Sequence, residues 1–368
     1  MLSAYFDRYV SAYQPYKGGA WCYEDGCIYR GLILLDTVRP NGPWRAHLRR
    51  LVDAQVGQDG ALAGYRIEEF NIDNILSGRA LIALDAMVRD GRYRKAADTL
   101  IGQCARQPRT RSGNYWHKQR YPHQVWLDGL YMALPFQIEY GRMTNRAELV
   151  GDAVAQMVTA LALLADPGTG LFRHGYDEAR AQAWADKVSG LSPALWSRAM
   201  GWLAMALVDV IAAAGEEISR ASGLWDQAAR FAEAIGRHQR ADGRWNQVTD
   251  QPDLAGNYAE SSATAMFAYF YLVGARLGIG GCDAAIGLAA LDGLTAHGLR
   301  SEGGGALALH DICHVAGLGG YSGRYRDGTA DYYVSETIVA DDSKGVGPLM
   351  MATAERWRLA EAERQLAG

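Results

Sequence analysis

The chain has 368 residues, 49% of them apolar, only ten Pro, and a formal net charge of -4. This length suits one large domain or two average ones and is enough to bury a sizeable core. A net acidic balance with no basic stripe argues against nucleic acid as partner, because phosphate binding needs clustered Lys and Arg. The first 19 residues mix acids and aromatics with apolar residues and lack the layout of a signal peptide. The most apolar later runs, 199–215 and 263–274, are interrupted by Asp209 or too short to span a bilayer, so no membrane segment is expected. Five Cys, odd in number and without a Cys-x-x-Cys pair, fit reduced thiols and a cytoplasmic location.

In chain order, apolar periodicity predicts helices over 2–13, 25–38, 43–56, 73–90, 92–106, 125–141, 145–165, 194–214, 221–240, 258–277, 281–299 and 342–365. Strand alternation is scarce, with short β pieces expected only near 170–173 and 326–333. The helices form six pairs whose second members recur every 50 to 85 residues or so, the footprint of a repeated helical hairpin. The second members are rich in small and apolar residues on all sides, as helices buried on both faces must be. Six such hairpins close into an all-α (α/α)6 barrel. No linker divides the chain, so residues 1–368 read as one domain, and nothing marks an assembly beyond a monomer or weak homo-oligomer.

Unusual residues collect in the loops entering the second helices: Trp21-Cys22-Tyr23-Glu24-Asp25, Glu68 to Asp73, Trp126-Leu127-Asp128, Ser192 to Arg198, Asn257 to Glu260 and Asp341 to Lys344. In a barrel these lie at one end and make a concave pocket of aromatics and acids, the composition of a sugar site. Asp128 falls in the first turn of an apolar helix, where the dipole alone favours a carboxylate. Its neighbours Trp126, Tyr131 and Met132 are poorly hydrating, which is expected to raise its pKa and suit it to general acid work. The Trp126 ring is placed to meet a sugar.

Asp73 is either a helix cap or a second carboxylate beside Asp128, the pairing that glycoside chemistry uses. His117 and Lys118 lead toward the Asp128 helix, and His174 stands in a polar-aromatic loop. His310, Asp311, Cys313 and His314 lie among glycines rather than on a helix, so no metal and no cofactor is expected there. Neither a phosphate-binding Gly-rich loop nor a Gly-x-Ser-x-Gly elbow is present.

Several ordered motifs carry a resemblance. They are Val125-Trp126-Leu127-Asp128-Gly129-Leu130-Tyr131-Met132, Arg173-His174-Gly175-Tyr176-Asp177, Trp184-Ala185-Asp186, Leu191 to Trp202, Asp242-Gly243-Arg244-Trp245 and Val315 to Gly319. With Tyr332 to Glu336 and Lys344 to Pro348, they make the chain resemble, from about Trp21 to Glu361, the unsaturated rhamnogalacturonyl hydrolases of glycoside hydrolase family 105. The resemblance implies an (α/α)6 barrel, Asp128 as general acid and base, and Asp73 as its acidic partner. It also implies that His117, Lys118, His174, Trp196, Arg198 and Trp202 surround the sugar.

The substrate so implied is an oligosaccharide left by polysaccharide lyases, ending in a uronic acid with a C4=C5 double bond. Its release by such enzymes begins with protonation of this vinyl ether. An unsaturated glucuronyl hydrolase acting on another polysaccharide, a sugar epimerase and a non-catalytic oligosaccharide-binding barrel are the alternatives. Arg198, two positions after Trp196, is expected to grip the uronate carboxylate in bidentate fashion with Lys118 nearby, unless it pairs with Asp186 or Asp209.

Overall fold

The computed structural model describes residues 1–367. Its helices alternate between an outer and an inner ring. The outer helices are Leu2–Ala12, Trp44–Asp53, Arg92–Arg106, Ala147–Leu164, Leu224–Gly236 and Ala284–Gly293. The inner helices are Tyr23–Val38, Gly78–Val88, Leu127–Met143, Ser197–Ala214, Ser261–Leu277 and Ser343–Ala367. Each inner helix packs on the next, and the last returns to the first, closing an (α/α)6 barrel.

The two rings differ as their compositions require. Trp44–Asp53 buries only the stripe Trp44, Leu48, Leu51 and Val52. Ser197–Ala214 is buried on every side from Ser197 to Ile211. That helix and Ala147–Leu164 are long and apolar enough to cross a membrane by length and composition, but the former is enclosed by the rest of the barrel.

Several sequence expectations shift. The 73–90 helix divides into a 3-10 turn, Ile72–Ile75, and the helix Gly78–Val88, because the Asn71 side chain accepts the Asp73 N–H at 3.2 Å and tightens the turn. The 281–299 helix stops at Gly293 and continues as a π turn, Leu294–Gly298. Residues 170–173 hold only an isolated bridge at Phe172, and the strand comes later, at Gly175–Asp177. Most of 326–333 is not strand: the Thr329 hydroxyl accepts the Tyr332 N–H and starts a short helix, Ala330–Val334. Among the described residues the remaining strands are two-stranded ribbons, three of them within 299–339.

Inside the ring, five inner helices meet in one buried polar network. Arg79 places Nη1 2.5 Å from Asp209 Oδ2 and Nε 3.1 Å from both oxygens of Glu139. Arg30 Nη2 lies 3.5 Å from the same Asp209 oxygen, and Tyr269 donates to its other oxygen at 2.7 Å. Burial raises the Asp209 pKa, but Arg79 and Arg30 outweigh it and hold the carboxyl below its usual range. Removing one partner of such a buried set strands charge in a low-dielectric interior. Arg79→Met is therefore expected to lower unfolding free energy by about 3–5 kcal/mol, read by denaturant titration; a loss under about 1 kcal/mol would show that the network does not support the barrel.

Candidate active site

A short antiparallel ribbon builds the centre of the site. Gln124–Trp126 pairs with Gly175–Asp177, with Trp126 opposite Gly175, and the Leu127 N–H donates to the His174 carbonyl at 3.0 Å. Asp128 follows the first strand and His174 precedes the second, so this register brings their side chains together. His174 Nε2 lies 3.0 Å from Asp128 Oδ2, off the hydrogen-bond axis, so that neither atom has a well-directed partner. The other ring nitrogen, Nδ1, is 2.6 Å from the Tyr333 hydroxyl. Close approach at this ribbon requires glycine at 175, where any Cβ would strike Leu318 and press on Trp126.

Asp128 sits in the first turn of Leu127–Met143. Burial raises its pKa, but the His174 imidazole beside it, with a smaller contribution from His117, more than offsets this, and the carboxyl is held below its ordinary value. The expectation of a raised pKa is thus corrected for the free protein. The apolar neighbours were legible in the sequence, whereas the two imidazoles come from other loops.

The second carboxylate is brought in by the backbone. The Ile72 N–H donates to the His117 carbonyl at 3.2 Å, setting Asp73 beside the 117–118 segment. Lys118 Nζ is 2.5 Å from Asp73 Oδ2, and His117 Nε2 is 3.6 Å from Oδ1. Burial drives the His117 pKa down to about 4, with Lys118 adding to the effect and Asp73 opposing it, so the ring is neutral at pH 7. It stacks on Trp126 at 4.3 Å between centroids, and Trp126 stacks on Tyr121 at 4.7 Å.

Asp73, His117, Lys118, Trp126 and Asp128 all line a cavity of about 150 Å³. It opens onto an outer groove of about 620 Å³, the two sharing Lys17, Lys118, Arg120 and Tyr321. His174 is wholly buried behind Asp128. Trp196 stands one layer further back, stacked on Tyr333 at 5.1 Å and donating Nε1 to Gln247. Trp202 stacks on Tyr131 between inner helices and does not line the cavity.

Arg198 departs most from expectation. It is 1% exposed, its Nη2 donates to the Cys313 carbonyl, and its acid partner is Glu260 at 3.5 Å. Neither acid expected as its structural partner fills that role: Asp186 accepts from Val188 and Ser189 in its own loop, and Asp209 belongs to the Arg79 network. A guanidinium turned inward in this way does not offer a fork to the cavity.

The lining also contains Tyr23, Glu24, Tyr121, Met132, Val315, Ala316 and Arg326. Of the arginines there, Arg120 had a local signal, since it follows His117-Lys118 by two positions; Arg326 had none. The 310–314 cluster points in different directions, His310 to Glu302 at 3.1 Å and His314 to the Tyr16 hydroxyl at 3.4 Å.

Residues 6–360 match the family model for Glycosyl Hydrolase Family 88. Protein Atu3128 of Agrobacterium fabrum is 53% identical over 234 residues, covering 62% of this chain and 100% of that protein. The unsaturated rhamnogalacturonyl hydrolase YesR of Bacillus subtilis is 27% identical over 258 residues, 67% of this chain and 68% of its own. A solved glycoside hydrolase from family 105 of C. acetobutylicum superposes with a TM-score of 0.91 at 34% identity, over 97% of this chain and 99% of that one. With the family match running nearly end to end on a barrel of this kind, the chain belongs to the family 88 and 105 unsaturated uronyl hydrolases.

Proposed function

We propose that the protein is an unsaturated rhamnogalacturonyl hydrolase, releasing the terminal 4,5-unsaturated uronic acid from oligosaccharides made by polysaccharide lyases. The observation that carries this reading is Asp128, fixed beside His174 and lining a cavity with room for a single sugar ring. The likeness to YesR, so named, supports the rhamnogalacturonyl assignment. Five free, buried cysteines support a reducing, cytoplasmic setting.

In the mechanism, protonated Asp128 delivers its proton to C4 of the vinyl ether, and the cation at C5 is stabilised by the ring oxygen. The resulting carboxylate takes a proton from water as the water adds to C5. The hemiketal then opens and the neighbouring sugar leaves, without displacement at C1, so the carboxylate-separation rule for ordinary glycosidases does not apply.

Asp128 must gain a proton that the free protein does not hold there. The substrate supplies the reason: its own C6 carboxylate enters the cavity and displaces water there, and a like charge beside Asp128 raises its pKa. Asp73, ion-paired with Lys118, remains the fixed negative partner that stabilises the cation. His117, neutral and stacked on Trp126, offers a hydrogen bond without adding charge.

Asp128→Asn keeps the first-turn side chain and deletes the transferable proton, so turnover, followed by loss of the ultraviolet absorbance of the conjugated uronate, should fall about 10²- to 10⁴-fold with the fold intact. Retention of a tenth or more of wild-type turnover would remove Asp128 from the acid role.

Stability carries its own signature of the neutral His117. Its folded pKa of about 4 lies below the unfolded value of about 6.5, so between them the unfolded chain binds the extra proton. Stability due to this group is complete above pH 6.5 and declines as pH falls toward 4, by about 3 kcal/mol in all. In chemical denaturation at a series of pH values, His117→Gln should flatten that decline. Identical slopes for the two proteins would mean that His117 is not buried uncharged.

A further inference from the structure

Two arginines that line the cavity, Arg120 at its mouth and Arg326 further in, have no acid to answer them. Arg326 is 6% exposed; its Nε donates to Gly319 O at 3.2 Å and its Nη2 to Leu318 O at 2.9 Å and the Tyr121 hydroxyl at 2.8 Å. Its Nη1 makes no hydrogen bond to the described residues, and a Cβ at Gly317 would collide with it, so glycine there keeps space for the guanidinium. Arg120 lies 5.3 Å from the Tyr121 ring and 5.0 Å from the Tyr321 ring, and Arg326 lies 5.0 Å from Tyr321 as well. Tyr321, 45% exposed, thus carries two guanidinium groups.

The nearby charges are committed elsewhere. Glu24 is paired with Lys17, Asp73 with Lys118, Glu69 with Arg66 and Glu336 with Arg324. Glu68, on the outer groove, is paired with neither arginine. Among the described residues no carboxylate lies within ion-pair distance of Arg120 or Arg326. Guanidinium groups gathered beside a pocket without a counter-charge repel each other, and the arrangement is relieved when a ligand brings an anion to them.

Position decides which anion. Arg120 and Tyr321 line both the inner cavity and the outer groove, so they stand at the threshold between them. With the unsaturated ring inside against Asp128, what crosses this threshold is the leaving part of the substrate. We propose that Arg120 and Arg326, set on Tyr321, bind a second carboxylate carried by the leaving chain beyond the first sugar, and that the enzyme prefers acidic oligosaccharides to disaccharides with a neutral leaving sugar. This rests on the function proposed above. The outer groove is roomy enough for further sugars, and pairing at a half-open rim makes the preference fade with salt.

The test compares three substrates: an unsaturated disaccharide with a neutral leaving sugar, a longer oligosaccharide with another uronate beyond it, and that oligosaccharide with the far carboxyl reduced to the alcohol. Arg120→Gln should cut kcat/KM on the acidic oligosaccharide at least tenfold more than on the disaccharide, chiefly through KM. Reducing the carboxyl should reproduce that loss in the wild type and add little to it in the variant. Equal losses on disaccharide and oligosaccharide would place Arg120 on the cleaved sugar instead, and undiminished turnover of the reduced oligosaccharide would show that no second charge is read. Either result overturns the proposal. If the wild type bleaches none of the three, the hydrolase reading fails by itself. Calorimetric binding of the acidic oligosaccharide then decides the anion site: tenfold weaker binding by Arg120→Gln supports it, and equal binding overturns it.

Discussion

The barrel is organised about the contact between Arg79 and Asp209, a buried pair that Glu139, Arg30 and Tyr269 extend to five of the six inner helices. Helices packed only through Ala, Leu and Met could slide or rotate against one another at small cost, because such contacts have no direction. A guanidinium held by two carboxylates fixes rotation and height together, since each misplacement leaves a charge unpaired in a poor dielectric. A rigid inner ring lets the residues at its rim keep a fixed mutual geometry on short loops.

At that rim the electrostatics run against simple burial. An acid among Trp, Tyr and Met tends to be protonated, yet Asp128 is drawn the other way by His174 and His117. The free protein then holds a carboxylate facing a cavity, and in the proposed function the arrival of an anionic substrate is what favours its protonation. Tyr333, hydrogen-bonded to His174 and stacked on Trp196, holds the imidazole in place from behind. Trp196 thus acts on the site through Tyr333 and His174.

Much of the site was legible from local pattern. Asp128 stood out as an acid in the first turn of an apolar helix, and Asp73, His117, Lys118 and Trp126 do share its cavity. Arg198 misled because a cation beside a tryptophan at a helix entrance looks the same in sequence whether it faces the pocket or the core. The direction was set by Glu260 and the Cys313 carbonyl, residues 62 and 115 positions away. Arg326 escaped notice for the converse reason, since its place depends on Tyr121, 205 positions earlier.

The sequence by itself determined the paired helices, their order and the apolar character of the inner ring, because period and composition are local properties that survive without knowledge of neighbours. It also determined which acid begins an inner helix. Only the tertiary structure decided what surrounds that acid. The register of Gln124–Trp126 on Gly175–Asp177 sets His174 against Asp128, and the Ile72 to His117 backbone bond sets Asp73 against Lys118. Charge, protonation and reach depend on distances of a few ångströms between segments remote in the chain, and those distances exist only once the ring has closed.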